Sequence, residues 1–316
     1  MADPVVGSAK TGPKVMDRQP SLPSGVLTAG SFDDNLDPAV FHGFVAKRAQ
    51  IQGLGDLPRK MVGHRLLVVV RDSAGKPVGN ARVNLASGEA KGVEIATRSD
   101  GKAVFMLSFD QIPGDQPLTA TVTPPDGGAA ITEKISAGAP RWDVTLPAVQ
   151  AQLPRNLDLA IVLDTTGSMQ DEIDHLKAEI RGISSAIKKK FPEVQQRFAL
   201  VLYRDEGDEY VAKSFDFTTS LDKFQQNIAA QRAAGGGDYP EAMHRGLEEA
   251  NQLRWQDKDT ARVMFLIADA PPHSQHMNRT LAAANSLRKK GVAIYPVACS
   301  GYDDACASSS CAPALS

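Results

Sequence analysis

Cysteine is nearly missing from this chain. Of its 316 residues only 3 are cysteine, at Cys299, Cys306 and Cys311. No disulfide framework can organise the residues before them, so that part must fold on a buried apolar core. Charge of one sign is missing too, with 35 basic side chains against 37 acidic ones. Without a basic excess or stripe there is little to attract a polyanion, which argues against nucleic-acid binding and against a charged membrane surface. No run of about 18 apolar residues occurs, so no membrane insertion is expected. Met1-Ala-Asp-Pro4 lacks the basic and apolar pattern of a signal peptide. As written the chain reads as cytoplasmic; a missing leader would instead imply the cell envelope or secretion. What remains is an ordinary globular composition, 42% hydrophobic and 23% charged, over a length that suits two domains.

Residues 1–31 carry Pro, Gly, Ser and Lys with almost no aromatics, and are expected to be disordered. A short helical segment follows over 32–61, with Asp37 as cap, Pro38 in the first turn, and Phe41, Phe44, Val45 and Ala49 on one face. Residues 62–147 hold seven short runs rich in Val, Ile and Thr, separated by turns such as Ser99-Asp-Gly101 and Pro124-Pro-Asp-Gly-Gly128. That spacing predicts a small all-β sandwich. After a linker over 148–156 the pattern changes. Apolar strands (Leu157–Leu163, Phe198–Tyr203, Val263–Ala268, Val292–Ala298) alternate with helices predicted over 170–190, 221–232, 240–254 and 278–290. Ile173, Leu176, Ile180, Ile183 and Ile187 form the apolar side of the first helix. The fold class is therefore α/β, a doubly wound, mainly parallel, Rossmann-like sheet over 157–300, preceded by the sandwich. In such sheets ligands bind beyond the carboxyl ends of the strands.

Two apolar strands end there in an aspartate: Leu159-Ala-Ile-Val-Leu-Asp164 and Val263-Met-Phe-Leu-Ile-Ala-Asp269. Thr166 and Ser168 place hydroxyls on the turn after Asp164. Capping of the next helix would account for the hydroxyls alone. Two carboxylates converging on one edge, however, repel each other unless a cation intervenes. In the later loop Gly235-Gly-Gly-Asp-Tyr-Pro-Glu241, Asp238 is either a further ligand or the first half of an Asp-x-x-Glu capping box with Pro240 in the first turn. His273 and His276 sit on a Pro-rich loop with no carboxylate near in sequence and are expected to face solvent. Gly235–Gly237 lacks the Lys-Ser/Thr that a phosphate cradle needs.

Asp164-Thr-Thr-Gly-Ser168, with Ile267-Ala-Asp269, resembles the metal-ion-dependent adhesion site of von Willebrand factor A domains, usually Asp-x-Ser-x-Ser, with Thr166 in place of the first serine. The resemblance implies a divalent cation at Asp164, Thr166, Ser168 and Asp269, with Asp238 where the family usually has threonine. Hard oxygen ligands suit Mg²⁺, with Mn²⁺ or Ca²⁺ as alternatives. It also implies a protein ligand, through an acidic residue that completes the metal shell, and no catalysis. The stretch VVVRDSAGKPVGNARVNL…ATRSDGKAVFML is similar to carboxypeptidase regulatory-like modules, which implies a non-catalytic spacer or docking domain. Two alternatives use the same residues. Val162-Leu-Asp-Thr-Thr-Gly-Ser168 also resembles the phosphorylation loop of haloacid-dehalogenase-like phosphotransferases, in which Asp164 would be a nucleophile supported by Thr218 or Thr219 and by Asp303-Asp304. A structural module with an empty site is the other. Residues 301–316 form an irregular tail where the family continues with further elements. Ala307–Ala312, back-translated, can be read in another frame as Glu-Phe-Leu-Met-Arg, and a frameshifted end is the expectation.

Overall fold

A computed structural model describes residues 65–88, 91–237 and 240–299. The expectations for 1–31, 32–61, Asp238 and the tail lie outside the described residues.

All seven expected strands of the N-terminal unit form: β1 (Arg65–Asp72), β2 (Arg82–Ser87), β3 (Val93–Ala96), β4 (Lys102–Met106), β5 (Leu118–Thr123), β6 (Ile131–Ile135) and β7 (Arg141–Leu146). They make two sheets, β4-β1-β7 and β3-β2-β5-β6. Alternate residues such as Val83, Leu85, Ala120, Val122, Phe105 and Trp142 meet in one core, as period-two patterning dictates. The expected linker stays attached to this unit, since Ala151 is buried and its N–H donates to Asp72 Oδ2 at 3.0 Å.

The second unit is one sheet in the order β10-β9-β8-β11-β12, from β8 (Asn156–Asp164), β9 (Gln195–Tyr203), β10 (Ala212–Thr218), β11 (Thr260–Ala268) and β12 (Ala293–Ala298). Every pairing is parallel except that of the edge strand β10 with β9. Helices α1 (Gln170–Lys190), α2 (Leu221–Ala229), α3 (Met243–Gln252) and α4 (Met277–Lys289) cover it. The central strands are apolar on both faces because both are covered. Leu159, Ile161 and Leu163 of β8 pack with Ile173 and Ile180 of α1 and Phe224 of α2. Ala160 and Val162 face Leu247 of α3 and Leu287 of α4. One helix-face assignment fails: Ile183 is 41% exposed, and Ser184 instead turns inward, its hydroxyl bonding Gln196 Oε1 at 3.0 Å. No helix among the described residues is long and apolar enough to cross a membrane.

The two units meet along α4. Arg288 bonds the Val104 carbonyl and the Asp110 carboxylate of the sandwich, while Arg262 bonds Asn80. The third helix starts later than expected, at Met243 instead of Pro240, and its N-cap Ala242 offers no side-chain bond. Glu241 therefore lies in the preceding loop, paired with Pro272 in a parallel bridge. Its Asp-x-x-Glu spacing does not mark the start of this helix. The close packing of α3 on the sheet requires Gly246: a Cβ there would stand 2.7 Å from Tyr203 Cδ1.

Candidate metal centre

The carboxyl ends of β8, β9 and β11 lie on one sheet edge, and the sequence-selected residues come together there. Strand register pairs Leu163 with Ile267, which puts Asp164 and Asp269 at neighbouring strand ends. Both are almost fully buried. Asp164 Oδ1 accepts from the Thr166 N–H at 2.9 Å and from its hydroxyl at 2.8 Å. Asp164 Oδ2 and Asp269 Oδ1 are buried and have no hydrogen-bond partner. Unpaired buried carboxylate oxygens are costly, and the protein's response appears in their titration. Burial pushes the Asp164 carboxyl up to about 7, with the nearby Asp269 charge adding to the rise. Burial also raises Asp269, against the opposing hydrogen bond from Ser168.

The hydroxyls do not cap a helix. Gly167–Met169 form a single 3-10 turn with Thr166 at its N-cap position, but no side-chain cap bond is made, and the same holds at the start of α1. Thr166 and Ser168 instead turn toward the two carboxylates, and Ser168 is exposed at the rim. Capping alone thus fails to explain them.

The glycine loop is attached to this turn. Ala234 N–H donates to the Thr165 carbonyl at 3.1 Å, and Gly167 N–H to the Gly235 carbonyl at 3.1 Å. Gly236, at φ +71°, passes so close that a Cβ would meet Glu241 Oε1 at 2.9 Å and Thr166 Cβ at 3.1 Å. Glycine serves here for close approach in a left-handed conformation. Among the described residues of this loop, Glu241 lies beside the site and is 4% exposed. Tyr203, at the end of β9, completes the floor. Burial, with the charges of Asp164, Asp269 and Glu241 around it, holds its phenol protonated well above the ordinary range. Sequence reasoning missed both residues. Glu241 was hidden in an apparent capping box, and Tyr203 read as one more apolar strand position.

A second group lies on the same edge. His276 Nε2 is 3.2 Å and His244 Nε2 3.8 Å from Glu206 Oε1. His273 Nε2 is 2.6 Å from Asp205 Oδ1. The expectation of solvent-facing histidines is therefore corrected. Their partners come from the loop after β9, some seventy residues away in sequence and adjacent only through sheet topology.

Residues 158–301 match a family model described as von Willebrand factor A domain. This part of the chain is a von Willebrand factor A domain. Among similar proteins, the alpha-protein kinase vwkA of Dictyostelium discoideum is 27% identical over 194 residues, 61% of this chain and 30% of that protein. The putative ariadne-like RING finger protein R811 of Acanthamoeba polyphaga mimivirus is 37% identical over 117 residues, 37% of this chain and 11% of that protein. Human von Willebrand factor A domain-containing protein 7 is 31% identical over 132 residues, 42% of this chain and 14% of that protein. The chain thus spans less than a third of the length of each of these relatives.

The A-domain residues fit a hard divalent cation. The donors are oxygen throughout, two carboxylate oxygens are buried without partners, and among the described residues no Lys or Arg pairs with Asp164 or Asp269.

Proposed function

We propose that the A domain is a non-catalytic protein-binding module whose partner contact depends on a divalent cation, Mg²⁺ foremost. Asp164, Thr166, Ser168 and Asp269 would hold the ion, with Glu241 beside them; Asp238, expected as a further ligand, lies outside the described residues. When bound, the ion supplies a positive centre at the sheet edge that can accept a carboxylate from a partner. The single observation that carries this reading is the pair of buried carboxylate oxygens, Asp164 Oδ2 and Asp269 Oδ1, that have no hydrogen-bond partner within 3.5 Å among the described residues, with the Tyr203 phenol near Asp164. The chain's own residues supply the geometry. Thr166 fixes one Asp164 oxygen and so orients the other. Ser168, exposed at the rim, leaves the site open toward solvent. We read the β-sandwich as a docking or spacer unit of the carboxypeptidase regulatory-like kind, and its tie to α4 through Arg288 supports a fixed presentation of the site.

The test is calorimetric titration of Mg²⁺ and Mn²⁺ into chelator-treated protein, together with melting in either ion. A ligand that binds only the native state stabilises it by about 2.7 kcal/mol at a hundredfold excess over Kd. Saturable binding that Asp164→Ala abolishes is expected. No heat and no melting shift in the wild type would sink the reading.

A further inference from the structure

We propose that Glu206, His244 and His276 form a second cation site, selective for zinc or a similar imidazole-preferring divalent ion and independent of the oxygen site at Asp164. One donor atom from each of the three residues lies within 4.8 Å of the others. They come from three separate elements: the loop after β9, the first turn of α3, and the 3-10 turn Ser274–His276 that enters α4.

The decisive side chain is His244. It is 0% exposed, and neither ring nitrogen has a hydrogen-bond partner. A buried imidazole with both nitrogens unpartnered bears a desolvation cost that nothing on its own helix offsets. Its ring lies 4.2 Å from that of His276, tilted by 32°, and its Nε2 is turned toward Glu206. A hydrogen bond between Glu206 and His276 would satisfy those two residues and leave His244 as it is. A cation among the three gives each of them a bond and relieves one of the two unpartnered His244 nitrogens.

The spacing suits the ion. Donors about 2.0–2.1 Å from a tetrahedral zinc stand about 3.3 Å apart. The two distances from Glu206 Oε1, 3.2 Å and 3.8 Å, bracket that value. Two imidazoles and one carboxylate fit zinc and its neighbours better than Mg²⁺, which favours six oxygens. The surroundings also hold the group in place. Asp205, next to Glu206, binds His273, which fixes the loop carrying His276. Three protein ligands leave one coordination position, and half-exposed Glu206 directs it toward solvent.

The experiment titrates zinc into the full chain, stripped with chelator, in competition with a chromophoric chelator. The wild type and Asp164→Ala are expected to take up one high-affinity zinc each. Glu206→Gln and His276→Ala should bind it about tenfold more weakly or worse. X-ray absorption of the zinc-loaded wild type should show two imidazoles and oxygen in the first shell, a readout that needs no variant to fold. No zinc uptake by the wild type, unchanged affinity in His276→Ala, or sulfur in the shell would overturn the proposal. Loss of zinc in Asp164→Ala with retention in His276→Ala would place the ion at the oxygen site and overturn it equally. Because the Mg²⁺ titration reports on Asp164 and the zinc titration on His276, either site can fail without the other.

Discussion

Asp164 and Asp269 end adjacent parallel strands one residue out of step, and each keeps one buried oxygen without a partner on the same sheet edge. The repulsion between them is visible in the raised titration of Asp164, where the Asp269 charge adds to the effect of burial. Burying two such groups side by side without full hydrogen bonding costs stability.

The first prediction follows from the sign of these shifts. Asp164 titrates at about 7 in the folded chain against an ordinary value of 3.8, and Asp269 is shifted the same way. Between about pH 4 and 7 the folded state therefore holds more protons than the unfolded state. The contribution of Asp164 to stability is present at low pH and is lost as pH rises through 7, by up to roughly 4 kcal/mol. His244 acts oppositely over part of this window, because burial lowers its titration from 6.5 to about 4, which makes stability rise with pH there. The measurement is thus a difference: denaturant midpoints of wild type and Asp164→Asn in chelator, from pH 5 to 8. Asp164→Asn should gain on the wild type as pH rises, and saturating Mg²⁺ should shrink the gap. A gap independent of pH would refute the argument.

How much of this was legible in the sequence depends on the scale of the signal. Strands buried on two faces give unbroken apolar runs, so β8, β9 and β11 could be read directly, as could the aspartates that terminate two of them. The seven sandwich strands were legible from their turns. Glu241 was not, because its local pattern matched a capping box and only the late start of α3 reveals that it lies in the loop. His244 was concealed on the apolar face of a helix, where a histidine looks like any core residue. Glu206 sits in a charged loop without any pattern. These three become neighbours of their sites through sheet topology, which no window of sequence contains.

A second prediction concerns the contact between the units. Asp110 is fully buried at its side chain and pairs with Arg288, itself only 19% exposed. Arg288→Ala leaves that carboxylate buried without its cation, at a cost of about 3 kcal/mol or more. Calorimetry should show a lower melting temperature and a separation of one transition into two, as the sandwich and the A domain lose their coupling. Unchanged melting would mean that the contact does not couple them.

A third prediction is that the protein releases no phosphate from small phosphomonoesters in Mg²⁺ above the level of Asp164→Asn. A nucleophilic aspartate must reach its substrate. Asp164 is 0% exposed, and one of its oxygens is held by two bonds from Thr166. Thr218 closes the antiparallel edge strand β10, and Asp303-Asp304 lie outside the described residues. Turnover that vanishes in Asp164→Asn would establish the phosphotransferase reading instead.

The last prediction separates the two acidic residues of the glycine loop. Asp238, the expected substitute for the family's threonine, lies outside the described residues, and the structure brings Glu241 close to Gly236, beside Thr166, and near Tyr203. If Glu241 faces the ion, Glu241→Gln removes one negative charge while keeping size and one oxygen donor. Mg²⁺ affinity should then fall by about tenfold or more, since charge count sets the affinity of oxygen sites. Binding to an acidic partner in saturating Mg²⁺ should rise, because the ion is less neutralised. Asp238→Thr should leave the Mg²⁺ dissociation constant nearly unchanged. Gly236→Ala supplies a geometric control. Its Cβ would press on both Glu241 Oε1 and Thr166 Cβ at a left-handed φ, so it should weaken Mg²⁺ without altering any charge. Calorimetric constants for the wild type and these three variants decide the matter. A loss confined to Asp238→Thr, with Glu241→Gln at wild-type affinity, would return the third loop to Asp238 and remove Glu241 from the site.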